Sequence, residues 1–252
     1  MKETRILMGM PVSVEVVDAT ATTETLAAVF AYFETIDEAF STYKPGSEIS
    51  RINRHELALA DASQDMQTIF VLAEQTRLES DGFFNILHNG AFDPSGLVKG
   101  WAIFQAAELL KAKNMANYYV DAGGDIQVSG RNGMGQPWRV GIRNPFNIHE
   151  IVKVIALTEG GVATSGTYIR GQHIYNPRNP AEEPITDILS LTVIGPDIYE
   201  ADRFATAAFA MGRSGIGFIE SLQGFEGYMI DRFGQATLTS GFERFVIHAP
   251  IS

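Results

Sequence analysis

Two groups of residues in this chain have the types and spacing to do chemistry. The first is Asp93-Pro94-Ser95-Gly96-Leu97-Val98-Lys99-Gly100-Trp101, an acid, a turn, a cation and two glycines ahead of a helix-forming run, Ala102 to Leu110. A helix start presents unpaired backbone N–H groups, which suits an anion such as a phosphate. Many helices also begin after Asp-Pro or Ser-Gly with no ligand at all. The second group is Asp202 and Thr206, four apart and so on one face of an expected helix from Tyr199 to Met211. A carboxylate and a hydroxyl, with nearby backbone carbonyls, form a hard oxygen set that suits Mg²⁺ or Ca²⁺. The plain alternative is an Asp–Thr hydrogen bond near the helix start.

Several other chemistries are excluded or disfavoured. The five histidines, His55, His88, His149, His173 and His248, show no paired ligand spacing, which disfavours zinc. His173 reads on its own as a surface or hydrogen-bonding residue. Cysteine is absent, so disulfides, thiolate metal sites and cysteine nucleophiles are out. No GxGxxG, GxxxxGK[ST] or GxSxG pattern occurs, so a Rossmann unit, a P-loop and a nucleophile elbow are unsupported. A net charge of −11 argues against nucleic acid as a partner. The same charge means that any polyanionic ligand needs local help from a metal, a lysine or backbone amides.

The elements that must position these residues are mixed. Residues 5–17 alternate as one strand, with Met8-Gly9-Met10-Pro11 as an irregularity inside it. Apolar residues at helical spacing give a helix from Thr22 to Phe40, stopped by Pro45 and Gly46, and a second from about Ser63 to Glu79. Tyr43, just past the first of these, is expected to be partly exposed. After Asn117 short strands take over, separated by Gly, Asn and Pro turns, with the pair Gly123-Gly124 marking a tight backbone position. Later strands are expected at 161–166, 172–177, 189–194, 228–231 and 245–248. Without a regular βαβ alternation, the fold is expected to be α+β in one domain over residues 1–252, with mixed or antiparallel sheets flanked by helices. No run of about 20 apolar residues and no signal peptide is visible, so the chain as given reads as cytoplasmic, or periplasmic if a leader was removed.

Read in order, nine segments resemble the FAD:protein FMN transferase family, the ApbE-type flavin transferases. They are Met8 to Pro11, Ser41-Thr42-Tyr43 with Ser47 to Asn53, Asp81 to Asn85, Asp93 to Gly100, Val120 to Asp125, Trp138 to Pro145, Ala163 to Gly166, His173 to Arg178, and Ala201-Asp202 to Thr206. The resemblance implies Mg²⁺-dependent transfer of the FMN half of FAD onto a Ser or Thr hydroxyl of an acceptor flavoprotein, with AMP released. It implies Asp202 and Thr206 as side-chain metal ligands, with the carbonyls of Gly96 and Ala205 completing the set. It places Met8, Tyr43, Phe83, Phe84, Asn85, Asp93, Lys99 and Ile174 at FAD contacts, with Tyr43 stacking on the isoalloxazine. His173 is the expected base for the acceptor hydroxyl, and Asp202 the poorer base if a metal holds it.

The chain departs from that pattern in places. Asn85 and Asn176 stand where many members of the family have Asp, and the stretch between Phe84 and Asp93 is short, which suggests a reduced cover over the flavin. Two alternatives stand beside the transferase: an FAD pyrophosphatase giving FMN and AMP, and a non-catalytic FAD-binding protein.

Overall fold

A computed structural model describes residues 1–167, 174–179 and 184–248. The expected first strand is a hairpin: β1 (Lys2–Leu7) and β2 (Met10–Val16) pair antiparallel. Met8 and Gly9 turn the chain at φ +52° and +71°, the positive pair that a tight two-residue hairpin turn demands. Helix α1 (Thr23–Phe40) starts in a capping box at Thr22 and buries Leu26, Phe30, Phe33 and Phe40 along one stripe. Ser47 caps α2 (Glu48–Asn53), and Ser63 caps α3 (Gln64–Glu79). A two-residue hairpin, β3 (Leu87–His88) with β4 (Ala91–Phe92), then leads into α4 (Ser95–Ala112).

Strands β5 (Tyr118–Ala122) and β6 (Asp125–Ser129) are joined by Gly123-Gly124, both at positive φ. A long hairpin, β7 (Trp138–Asn144) and β8 (Asn147–Leu157), precedes β9 (Glu159–Gly166). The remaining elements are β10 (Ile188–Gly195), α5 (Ile198–Ala210) capped by Asp197, α6 (Gly215–Ser221), β11 (Glu226–Asp231) and β12 (Ala236–Leu238). The strand expected at 245–248 is absent. Phe242–Phe245 is a 3₁₀ turn there, and Val246 makes a lone bridge to Ile155. The strand expected at 172–177 lies partly outside the described residues, and 174–177 carries no strand.

Eight strands form one antiparallel sheet in the order β1-β2-β5-β6-β9-β10-β11-β12. Its central strands are buried on both faces, so neighbouring residues serve different cores. Ala163 and Val193 face the helices, whereas Val162 and Ile194 face the β7–β8 hairpin. The helix-side core joins α1, α4 and α5 to the sheet through Phe30, Leu97, Ile103 and Phe209. The hairpin-side core is built on Trp138, Val140, Ile155, Tyr228 and Phe242. This is the α+β architecture expected from the sequence.

Candidate active site

The site begins where α4 crosses α5. Gly100 makes the crossing close: a Cβ there would stand 2.5 Å from Asp202 Cβ and 2.8 Å from the Ile198 carbonyl oxygen. With no side chain in the way, the Gly100 N–H donates to Asp202 Oδ2 at 2.8 Å. One turn along α5, the Thr206 hydroxyl donates to the Gly96 carbonyl at 3.2 Å. Asp202 and Thr206 therefore bond to the α4 backbone, and not to each other. Three oxygens, Asp202 Oδ1, Thr206 Oγ1 and Gly96 O, come from the facing sides of this crossing.

A second carboxylate stands behind the first. Asp125, 2% exposed, opens β6 directly after the double-glycine turn. Its Oδ1 accepts the Thr164 N–H at 3.0 Å, and its Oδ2 pairs with Lys99 Nζ. Lys99 Nζ also lies 4.0 Å from Asp202 Oδ1. Two buried carboxylates thus share one ammonium. Burial pushes the Asp202 carboxyl up to about 7, with Asp125 adding to the rise; Lys99 and the Gly100 N–H act against it. Burial likewise raises Asp121, at the end of β5, with Asp125 again pushing the same way.

This excess of buried negative charge fits a hard cation. Among the described residues no group of three His, Asp or Glu side chains could enclose a metal by itself. Mg²⁺ does not need one, because it is commonly held by one or two carboxylates together with neutral oxygens and substrate phosphates. Asp202, Thr206 and the Gly96 carbonyl supply that kind of donor set.

The cleft above these groups is walled by Phe83, Phe84, Ile174, Tyr175 and Pro177. Tyr175 stacks on His88 with ring centroids 3.9 Å apart, and its hydroxyl donates to the Asn85 carbonyl at 2.8 Å. Arg178 pairs with Asp81 at 2.7 Å and lies over the Phe83 ring. Residues 174–179 are thereby fastened across the segment from Asp81 to His88. The Asn85 side chain accepts the Leu87 N–H, Asn176 accepts the Arg178 N–H, and Asp93 accepts the Ser95 N–H. Each of these holds a local turn by a side-chain-to-backbone bond two residues on.

Nine residues expected at the site line this one cleft: Phe83, Phe84 and Asn85; Asp93, Gly96 and Lys99; Ile174, Asp202 and Thr206. Three others do not line it. Met8 sits in the β1–β2 turn, Tyr43 is 93% exposed beyond α1, and Ala205 is fully buried inside α5. His173 lies outside the described residues. Sequence reasoning gave no role to Asp125, His88, Tyr175 or Ser165. An acid directly after Gly123-Gly124 is the signal that could have found Asp125; Ser165 and Tyr175 fall within segments of the family resemblance, and His88 carries no signal.

The ApbE family model matches residues 8–91 and 88–230 of the chain. An FAD:protein FMN transferase of Klebsiella pneumoniae is 32% identical over 157 residues, which is 58% of this chain and 44% of that protein. One from Chlamydia muridarum is 27% identical over 235 residues, covering 69% and 72% of the two. The chain thus matches less than half the length of the first of these relatives. In fold, it superposes on a flavin transferase ApbE from Vibrio cholerae with a TM-score of 0.84 at 22% identity, over 97% of this chain and 98% of that one. The ApbE protein of Thermotoga maritima gives 0.86 at 21% identity, over 98% and 99%. Matched by the family model along most of its length, the chain belongs to the ApbE family.

Proposed function

We propose that the protein transfers the FMN half of FAD onto a Ser or Thr hydroxyl of an acceptor protein, in a reaction that requires Mg²⁺ and releases AMP. The name carried by the relatives, FAD:protein FMN transferase, supports flavin transfer to a protein. The observation that carries the reading is the meeting of Asp202, Thr206, the Gly96 carbonyl and Lys99 under an aromatic-walled cleft.

In this reaction the acceptor oxygen bonds to the phosphorus on the flavin side of the pyrophosphate. The bridging P–O bond breaks, AMP leaves with that oxygen, and the hydroxyl proton passes to a base. The protein's task is positioning and charge neutralisation. Phe83, Phe84 and Ile174 bury apolar ligand surface, and Lys99 offsets pyrophosphate charge that an acidic protein would otherwise repel. Asp202, Thr206 and the Gly96 carbonyl would hold the cation, with the Ala205 carbonyl as a further proposed ligand. Bound there, Mg²⁺ would act as a Lewis acid on the phosphoryl oxygens. Asp93 and Asn85 line the cleft where the nucleotide would lie, while Met8, in the β1–β2 turn, and the exposed Tyr43 ring are proposed as flavin contacts from outside the cleft wall. His173, which directly precedes Ile174, is the proposed base, because a free imidazole, of pKa roughly 6.5, is mostly neutral near physiological pH and so able to accept a proton.

The test is to incubate the protein with FAD, Mg²⁺ and a protein bearing an accessible Ser or Thr acceptor, and to follow AMP, free FMN and acceptor mass. Acceptor mass rising by one FMN, in step with AMP, is the expected result. Free FMN with AMP and an unmodified acceptor would replace the transferase reading with a pyrophosphatase. Bound, unchanged FAD would remove both.

A further inference from the structure

Lys99 sits between two carboxylates that differ in what else they do. Asp202 is the side-chain carboxylate of the proposed cation site, with Oδ2 engaged by the Gly100 amide and Oδ1 4.0 Å from the ammonium. Asp125 contributes nothing to the cleft wall. It is fixed from behind, by the Thr164 N–H and by the rigid turn that starts β6, and its other oxygen takes Lys99. Without Asp125, a largely buried ammonium, which also acts on Asp121, would be drawn onto the carboxylate oxygen that lies 4.0 Å away, Asp202 Oδ1. That is the oxygen a cation needs, and two cations cannot share it without strong repulsion.

We infer that Asp125 is a positioning residue: it holds the Lys99 ammonium away from Asp202 and so keeps Asp202 Oδ1 open to the divalent cation. The inference rests on the cation site proposed above. It assigns to a buried acid, remote from the ligand, control over how well that site competes for metal. Asp125 acts through Lys99, so its effect exists only while Lys99 is present. A general electrostatic contribution from the Asp125 charge would persist without the lysine, and the two cases can be separated.

The experiment is a double-mutant cycle on Mn²⁺ affinity in the absence of FAD, read from the loss of the free-ion EPR signal. Four full-length proteins are compared: the parent, Asp125→Asn, Lys99→Gln and the double variant. Asparagine keeps the oxygen that accepts the Thr164 amide and removes only the charge that holds Lys99. The expected loss from Asp125→Asn is ~10-fold or more beside Lys99, the range seen when a residue supporting a metal ligand is changed. Beside Lys99→Gln the same change is expected to alter affinity by no more than about 2-fold. Equal losses in the two backgrounds would overturn the inference, as would no loss in either. Failure of the parent protein to bind Mn²⁺ would overturn the cation site and this inference with it. Melting temperatures establish that each variant is folded. Should Asp125→Asn fold poorly, Asp125→Ser takes its place in both backgrounds, because serine also offers an oxygen to the Thr164 amide.

Discussion

The two faces of the eight-stranded sheet carry different kinds of packing. On the hairpin side, β7 and β8 close over Ile126, Val162, Ile194 and Tyr228 with an apolar core. Its polar contacts include the Trp138 indole N–H donating to the Ser129 carbonyl at 2.8 Å and, at one edge, the buried Glu226 carboxylate accepting the Gly241 N–H at 3.1 Å. On the helix side, a comparable apolar core is interrupted where α4 meets α5, and two buried acids and a lysine occupy the gap. The same strands supply both faces, since Val162 and Ala163 point opposite ways. What sets the helix side apart is a close approach between two helices. Gly100 lets one helix backbone reach the side chain of another, and a buried carboxylate obtains an N–H donor there that an apolar interface cannot offer. The candidate site lies on the face where α4 and α5 cross. Stability can be drawn from either.

That contrast can be broken in several ways, and the largest expected effect is on the helix side. Asp202→Asn should lower turnover with saturating FAD and Mg²⁺ by ~10³-fold, the scale of losing a key electrostatic group. Its melting temperature should hold or rise, because a charge buried beside Asp125 is removed. A large fall in stability would show that this acid is structural, and would erase the distinction between the faces. Next comes Phe242→Ala on the hairpin side, where a fully buried ring is deleted. Denaturant unfolding should show about 3–5 kcal/mol lost, with kcat of the protein that remains folded close to the parent value. Reduced kcat in that folded fraction would mean that the two cores are mechanically coupled.

Gly100→Ala should cost about 1–3 kcal/mol through overpacking against Asp202 and Ile198, which outweighs the usual gain of alanine within a helix. Activity should fall with it, because α5 must move away from α4. The matched control is Gly141→Ala in β7, where the new Cβ meets the flexible end of Ile151 at 3.0 Å. A change within roughly 0.5 kcal/mol and unaltered turnover are expected. Equal effects from the two glycine substitutions would refute the claim that the close approach at Gly100 serves the site.

Parts of this arrangement were legible in the sequence for identifiable reasons. Asp202 and Thr206 could be paired because a helix fixes what lies four residues away. The class of fold followed from short strands and long amphipathic helices without βαβ order. The first hairpin was missed because its turn is Met8-Gly9. Methionine is a poor candidate for positive φ, so the turn read as an irregularity within one strand. The expected strand at 245–248 failed because Phe242 and Phe245 take their places from the hairpin core, through a 3₁₀ turn that alternation does not reveal. The Gly96 carbonyl came only from family resemblance, as a backbone oxygen leaves no residue-type signal. The partnership of Asp125 with Lys99 was illegible for a related reason: it depends on how β6 is set against α4, which neither segment encodes alone.

The separation of these partners along the chain bears on how the protein is made. Gly100 and Asp202 are joined across 102 positions, and Thr206 and Gly96 across 110. At a synthesis rate of about 5–20 residues per second, α4 would wait roughly 5–20 s for α5 to appear. During that interval no local contact can stand in for the missing helix, and closing so long a loop must await its partner. The proposed competence to hold a pyrophosphate would therefore arrive late and all at once. A half-made chain would have Lys99 but neither the acid nor the hydroxyl contributed by α5, so the proposed grip on a flavin nucleotide would report that the fold is complete.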